Sequence, residues 1–253
     1  MRTIFLQIYI LVISGTGCIT ALEAQESREY TKVLNASFGQ MTLGASFPYS
    51  NRTTDFLRGE DFLGKSYSTP ILNYHIGGEL SVMVKRILIG SGGFAMFPIR
   101  RHAERGAYTY TLSSAYVRVG YDLRLKPHAL TYVYVGGGFA RNNLIVENSD
   151  SVALWPDRDY KLPAGRRGAF WNDCVLYDMG FAFKTACSKT QDQGEIRWGG
   201  LLVGAEIGCM LLHSWNGWRY EDYEVPAIPS GKLRALPYLK ITFGPGGYIV
   251  PGK

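Results

Sequence analysis

The chain has 253 residues, of which 46% are hydrophobic and 13% aromatic, and its formal net charge is +6 at pH 7. The positive excess is small and spread along the sequence, which argues against a nucleic-acid-binding protein with a basic surface. Beyond the first residues no apolar run reaches the roughly 20 residues of a membrane-spanning helix, which argues against a helical membrane protein.

The N-terminal segment, residues 1–24, has the features of an export signal. Arg2 supplies a positive start, an apolar core follows from Ile4 to Ile13, and Ala24 provides a small residue at the cleavage site. The mature chain is therefore expected to be residues 25–253, a single domain. Cys18 leaves a lipoprotein signal open, although Gly15 stands where that signal has an aliphatic residue.

Eight segments of the mature chain carry the two-residue periodicity of β-strands. In the fourth segment, for example, Val117 and Val119 share one face, and Arg118 shares the other with Gly120. The segments reach the roughly 9–11 residues of a membrane-crossing strand, whereas soluble strands average about 5–6. We expect them at 33–47, 71–84, 87–97, 108–124, 129–141, 172–184, 196–214 and 233–244.

The connections between these segments alternate in length. Those at 48–70, 98–107, 142–171 and 215–232 are long, whereas those at 85–86, 125–128 and 185–195 are shorter. In an up-and-down barrel the odd connections lie at one end and the even ones at the other, and long loops opposite short turns indicate an outer-membrane barrel. The polar connection 185–195 fits this pattern least well.

The fifth segment, within "HALTYVYVGGGFARNN", has no plainly charged face. In a barrel with a lipid-facing exterior, Val135 and Phe139 point outward while Tyr132 and Tyr134 fill the lumen. Gly136 then allows close packing inside a narrow barrel.

These patterns predict an all-β fold: an eight-stranded antiparallel up-and-down transmembrane β-barrel. An eight-stranded barrel is just wide enough for side chains to fill its interior, and charges buried there must be paired. The expected result is a plugged lumen with ion pairs, with a small conducting path as the alternative. The polar residues expected inside are Glu79, Arg118, Asp122, Asp178, Lys184, Glu206 and Lys240.

With an exported start, eight alternating segments and the closing stretch "LPYLKITFG", the chain resembles the eight-stranded outer-membrane barrels of the OmpA transmembrane region and OmpX type. The resemblance covers nearly all of residues 25–253, although ten residues follow Phe243, where such barrels often end. It implies the outer membrane of a Gram-negative bacterium. The likeness is architectural and carries little about function, and the role that we expect for the whole chain is a structural or surface-interaction one. The resemblance brings no catalytic motif with it.

His213 and Ser214 are the strongest catalytic candidates, and both are weak. Barrel enzymes that remove acyl chains from lipid place their His and Ser two residues apart on one strand face, whereas adjacent residues point to opposite faces. A membrane-embedded lipid hydrolase therefore remains only an alternative. A soluble exported calyx that binds a small apolar ligand is another.

We expect the barrel to be a monomer that contacts outer-membrane lipid. Its outer loops are expected to meet an extracellular or envelope protein or a glycan, through Trp155, Tyr160, Trp218 and Tyr220. No nucleic acid, metal or cofactor is expected, since no metal-ligand spacing accompanies Cys174, Cys187 and Cys209. These three cysteines are expected to be small apolar fillers.

Overall fold

The computed structural model describes the chain at residues 35–47, 72–103, 106–123, 129–148, 152–153, 161–162, 165–192, 195–221, 223–225 and 233–251. In this part of the chain, no helix is long and apolar enough to cross a membrane. The described residues contain eight long strands: β1 (Asn35–Ser46), β2 (Asn73–Val84), β3 (Ile87–Met96), β4 (Gly106–Asp122), β5 (Ala129–Asn148), β6 (Arg167–Asp192), β7 (Glu195–Ser214) and β8 (Leu233–Pro251).

These eight strands form an antiparallel, ring-like sheet. Each pairs with its neighbours along the chain, from β1 with β2 through to β7 with β8. The first strand also pairs with the last, from Asn35 opposite Ile249 to Ser46 opposite Tyr238. Every long strand described here therefore has a hydrogen-bonded neighbour on both sides.

The two faces of the sheet differ in chemistry. Outward side chains are apolar and exposed, such as Leu80 at 70%, Val117 at 62% and Val135 at 63%. Inward side chains are buried, and they include Tyr132 and Tyr134 beside charged groups. We call the outward surface the apolar wall. Its side chains follow from the two-residue alternation that the sequence predicts.

The strands are longer than the sequence indicated at both ends of the sheet. Residues 185–195 were expected to be a connection, yet Thr185–Asp192 continue β6 and pair with the first half of β7. The tail after Phe243 likewise continues β8 to Pro251. Polar residues enter these strands because their backbones have partners on neighbouring strands, which a pattern of side chains alone does not reveal.

The expected loop at 142–171 is also shorter than predicted. Strand β5 continues to Asn148 and β6 begins at Arg167, and the two remain paired as far as Glu147 opposite Arg167. A short strand, Ile99–Ala103, pairs with the start of β4 in the previous long connection. These extensions lie at the end of the sheet with the long connections, which we call the outer end.

Candidate functional site

A group of six charged side chains lies inside the ring of strands, and we call it the central charge cluster. Arg118 is its hub: its guanidinium contacts Glu79 at 2.5 Å, Asp178 at 2.6 Å and Glu206 at 3.1 Å. All four side chains are almost fully buried. The cluster consists of Glu79, Arg118, Asp178, Lys184, Glu206 and Lys240.

The strand register and one glycine position this hub. Arg118 on β4, Gly136 on β5 and Asp178 on β6 form one cross-strand row. A Cβ atom at position 136 would lie 2.8 Å from Cγ of Arg118, so glycine leaves the space in which the Arg118 side chain lies. Its guanidinium also lies 4.4 Å from the ring centres of both Tyr116 and Tyr134, where the faces of the rings attract a cation.

Two lysines complete the cluster. Nζ of Lys184 lies 3.3 Å from Oε1 of Glu206 and also donates a hydrogen bond to Oε1 of Gln40. Nζ of Lys240 lies 4.1 Å from the ring centre of Tyr238. The six side chains thus carry three positive and three negative formal charges, and this balance is what allows them to be buried together.

A chain of hydroxyl groups ties the aromatic side chains to the same cluster. The hydroxyls of Tyr134 and Tyr238 lie 2.5 Å apart, and the Tyr238 hydroxyl donates to Oδ1 of Asp178 at 2.7 Å. The aromatic rings and ion pairs together fill the middle of the ring and cross-link β2, β4, β6, β7 and β8. Among the described residues no group of three or more His, Cys, Asp or Glu side chains could hold a metal ion.

Replacing Glu206 by Ala is expected to lower the free energy of unfolding by about 3–5 kcal/mol, because it removes one partner from a buried ion pair. The Lys184 ammonium would keep its hydrogen bond to Gln40 but lose its carboxylate. The matched control is Glu147→Ala. The Glu147 side chain is 40% exposed and its carboxylate forms an ion pair with Arg100, and an exposed pair of this kind contributes about 0–1 kcal/mol. Urea unfolding measures both variants, and equal midpoints would contradict the prediction.

A second buried group, the outer polar cluster, lies between the central cluster and the outer end. It consists of Tyr110, Asn142, Asn172, Cys174, Ser214 and Arg234. The Asn172 amide nitrogen donates to Oγ of Ser214 at 2.7 Å and to the backbone oxygens of Asn216 and Gly217 at 2.6 and 3.1 Å. Asn172 therefore fastens the segment after β7 to the inside of β6.

Arg234 is the cation of the outer polar cluster. Its guanidinium donates to the Tyr110 hydroxyl at 3.2 Å and to Sγ of Cys174 at 3.3 Å. The alternation of the sequence could have indicated Asn142 as an inward residue, but the predicted fifth strand ends at 141, and the predicted sixth strand begins only at Asn172. The pairing of β5 with β6 beyond those boundaries creates the cluster.

Replacing Asn172 by Ala is expected to loosen the segment 215–218 and to cost about 1–3 kcal/mol, because the buried Ser214 hydroxyl and the partly buried carbonyls of Asn216 and Gly217 lose their donor. Limited proteolysis of the folded protein should show faster cleavage near Trp218. Asn143→Ala is the matched control, since the Asn143 side chain lies on the outward face of β5, like that of Arg141, whereas Asn172 points inward. Equal cleavage rates for the two variants would show that Asn172 does not fasten this segment.

The remaining predicted residues are placed as follows. Asp122 is buried at the opposite end of β4, where its backbone N–H donates to the Arg86 carbonyl at 2.9 Å. His213 is exposed while Ser214 is buried, so the two side chains lie on opposite faces of β7. Trp155 and Tyr160 lie outside the described residues.

Two residues lie elsewhere than the sequence predicted: Trp218, expected at the surface of the outer loops, and Cys187, expected to fill apolar space. Trp218 is only 1% exposed, because the segment fastened by Asn172 holds its ring inside the protein. Tyr220 is half-buried, with its ring centre 5.3 Å from that of Phe170. Cys174 is buried as expected, but Cys187 is exposed, because it lies on the outward face of the extended part of β6.

No family model matches the chain, and no curated protein matches it significantly. Among solved structures it is similar to Neisserial surface protein A (10% identity, TM-score 0.38, covering 85% of this chain and 98% of that one). It is also similar to a FadL homologue of Pseudomonas aeruginosa (8%, 0.26, 88% and 91%) and to an acetoacetate decarboxylase-like enzyme of Sphingomonas wittichii RW1 (7%, 0.21, 87% and 91%). Likenesses this weak carry no information about function.

Proposed function

We propose that this chain is a small outer-membrane β-barrel of a Gram-negative bacterium, closed by the pairing of β1 with β8, with a structural or surface-interaction role. The observation that carries the proposal is the inversion of its two faces. Large apolar side chains are exposed outside, while the charged central cluster is buried inside. A soluble protein gains stability from the opposite arrangement.

The height of the apolar wall supports a membrane location. On β6 the outward side chains from Val175 to Phe183 are apolar, with Asp173 before them and Lys189 beyond. Strands of about 9–11 residues cross a membrane when they tilt by about 45°, and the apolar band of such barrels is about 25 Å tall. The wall on β6 matches this length.

The lumen is proposed to be plugged. The central charge cluster and its tyrosines occupy the middle of the ring, and its ion pairs join strands on different sides. Opening a water-filled path would require these packed side chains to move apart, although an eight-stranded barrel is only just wide enough for side chains to fill. We therefore propose that the protein has a structural or surface-interaction role and does not conduct solutes. We also propose that it is a monomer.

The outer loops are proposed to carry the interaction with an extracellular or envelope protein or a glycan. The connection that contains Trp155 and Tyr160 also contains Asp157, Arg158 and Asp159. Mixed charges beside aromatic side chains suit the recognition of a polar partner. With Trp218 buried, Trp155 and Tyr160 are the stronger aromatic candidates for this contact.

Cell fractionation followed by gel electrophoresis tests the proposal. A membrane barrel is expected in the outer-membrane fraction, and its mobility on a denaturing gel is expected to change on heating. Reconstitution into a planar bilayer is expected to give no steady conductance. Recovery of a folded protein from the soluble periplasm would instead favour the calyx, and stable channels would overturn the plugged lumen.

A further inference from the structure

Three adjacent depressions run down the apolar wall over β1 to β6 and β8. The first, of about 370 Å³, lies nearest the outer end, and the second and third measure about 870 and 730 Å³. The first and second share Ala115, and the second and third share Gly39, Leu80, Ser91 and Pro245. The three depressions therefore adjoin one another in a line, and together we call them the wall groove.

Small outward residues make the wall groove, and at Gly78 the sheet itself does not require glycine. A Cβ atom at position 78 would meet only the Gln40 carbonyl oxygen, at an ordinary 3.6 Å. At the inward Gly77, by contrast, it would lie 2.4 Å from the Gly93 oxygen. Glycine within a strand lowers stability, so the open space above Gly78 has no explanation in the packing of the sheet.

The outer end of the wall groove is polar. Ser113, Arg141 and Asp173 lie side by side on β4, β5 and β6. The Arg141 guanidinium donates two hydrogen bonds to the Asp173 carboxylate, at 2.7 and 3.1 Å, and both side chains remain partly exposed. Next to this row the ring centre of Trp215 lies 5.9 Å from that of Phe139.

We propose that the wall groove binds one glycolipid of the outer leaflet, with its sugar on the polar row and an acyl chain along the groove. This inference rests on the proposed membrane location. An amphipathic lipid fits a groove that is polar at one end and apolar along the rest. A second copy of the chain would gain nothing from that difference between the ends.

The polar row favours a sugar over a phosphate headgroup. It presents a donor in Arg141, an acceptor in Asp173 and a hydroxyl in Ser113, which together complement the hydroxyl groups of a sugar. The Asp173 carboxylate would repel a phosphate. The partly exposed ring of Trp215 offers an apolar surface for the face of a sugar ring.

Native mass spectrometry of the barrel in a non-ionic, sugar-free detergent tests the proposal, with dephosphorylated lipid A and phosphatidylethanolamine as probes. We expect one molecule of dephosphorylated lipid A (called lipid A below) to bind per protein, more tightly than phosphatidylethanolamine does. Gly78→Leu is expected to fill part of the groove, since a Cβ atom at position 78 meets the sheet no closer than 3.6 Å. It is expected to weaken lipid A binding at least tenfold, because displacing about two methylene groups is enough.

Gly137→Leu is the matched control. Gly137 also faces outward, a Cβ atom there would meet only the Leu176 oxygen at 3.7 Å, and the residue lines none of the three depressions. This variant is expected to bind lipid A like the unchanged protein. Asp173→Ala is expected to reduce the preference for lipid A while leaving phosphatidylethanolamine binding unchanged.

Several results would overturn the wall groove as a glycolipid site. These are unchanged lipid A binding in Gly78→Leu, an equal loss in Gly137→Leu, equal affinities of the unchanged protein for the two lipids, or a dimer that Gly78→Leu dissociates. Heat-dependent gel mobility distinguishes a failure of the glycolipid site from a failure of the proposed membrane location. If the unchanged protein itself lacks that mobility change and stays soluble without detergent, the membrane location fails as well.

Discussion

Replacement of Arg118 by Met is expected to lower the free energy of unfolding by about 3–5 kcal/mol or to prevent folding, as removal of one partner from a buried ion pair does. Met occupies similar space but carries no charge. Glu79, Asp178 and Glu206 would then share the lumen with Lys184 and Lys240, and within the described part of the chain only Glu206 would retain an ion pair. Urea unfolding in lipid vesicles, followed by heat-dependent gel mobility, measures the loss.

Arg100→Met is the control for this prediction. Arg100 forms an ion pair with Glu147 in which the two side chains are 57% and 40% exposed, so its removal is expected to cost only about 0–1 kcal/mol. A second variant separates charge from packing. Adding Glu79→Gln and Asp178→Asn to Arg118→Met should restore part of the stability, and a further loss would show that packing of the guanidinium matters more than its charge.

Replacement of Val135 by Arg is expected to destabilise the protein in a membrane by about 2–4 kcal/mol, the cost of a cation on the lipid face near the midplane of a barrel. Val135 points outward with 63% of its surface exposed, and it lies between Val133 and Gly137 on the apolar wall. The reason is that lipid offers no solvation to the guanidinium, whereas water would. In a soluble barrel an exposed substitution of this kind changes stability by only about 0.5 kcal/mol.

Ala169→Arg is the control for Val135→Arg. Ala169 is also exposed and outward, but it lies beyond Asp173 toward the outer end of β6, where the side chain would meet water. Refolding yield in vesicles and urea midpoints compare the two variants. Equal effects would mean that the apolar wall does not face lipid, and the proposed location would then be lost.

The sequence predicted the eight strands well where the alternation is strict and poorly where it is not. The pattern around Val117 and Arg118 located β4 to within a few residues. By contrast, Ser188 to Asp192 are polar on both faces, and nothing in their order indicates that they extend β6. Their strand conformation depends on pairing with β7, a long-range contact that a local pattern does not contain.

The candidate site divides in the same way. An inward position for Glu79, Arg118 and Glu206 follows from alternation, and the need for paired charges follows from burial. The outer polar cluster did not follow, because Asn172 stood at a predicted strand boundary and Arg234 at the start of the last segment. Trp218 was expected at the surface, but its burial depends on the hydrogen bonds that Asn172 makes to the segment before it.

The sequence by itself determined which side chains lie on each face of the sheet, because a strand turns successive residues to opposite sides whatever its neighbours are. Only the tertiary structure decided which inward residues meet. Arg118 finds Glu79, Asp178 and Glu206 on three other strands because the register of the ring brings them to one level, and a shift of register would separate them. The register is a property of paired strands, so no single strand encodes it.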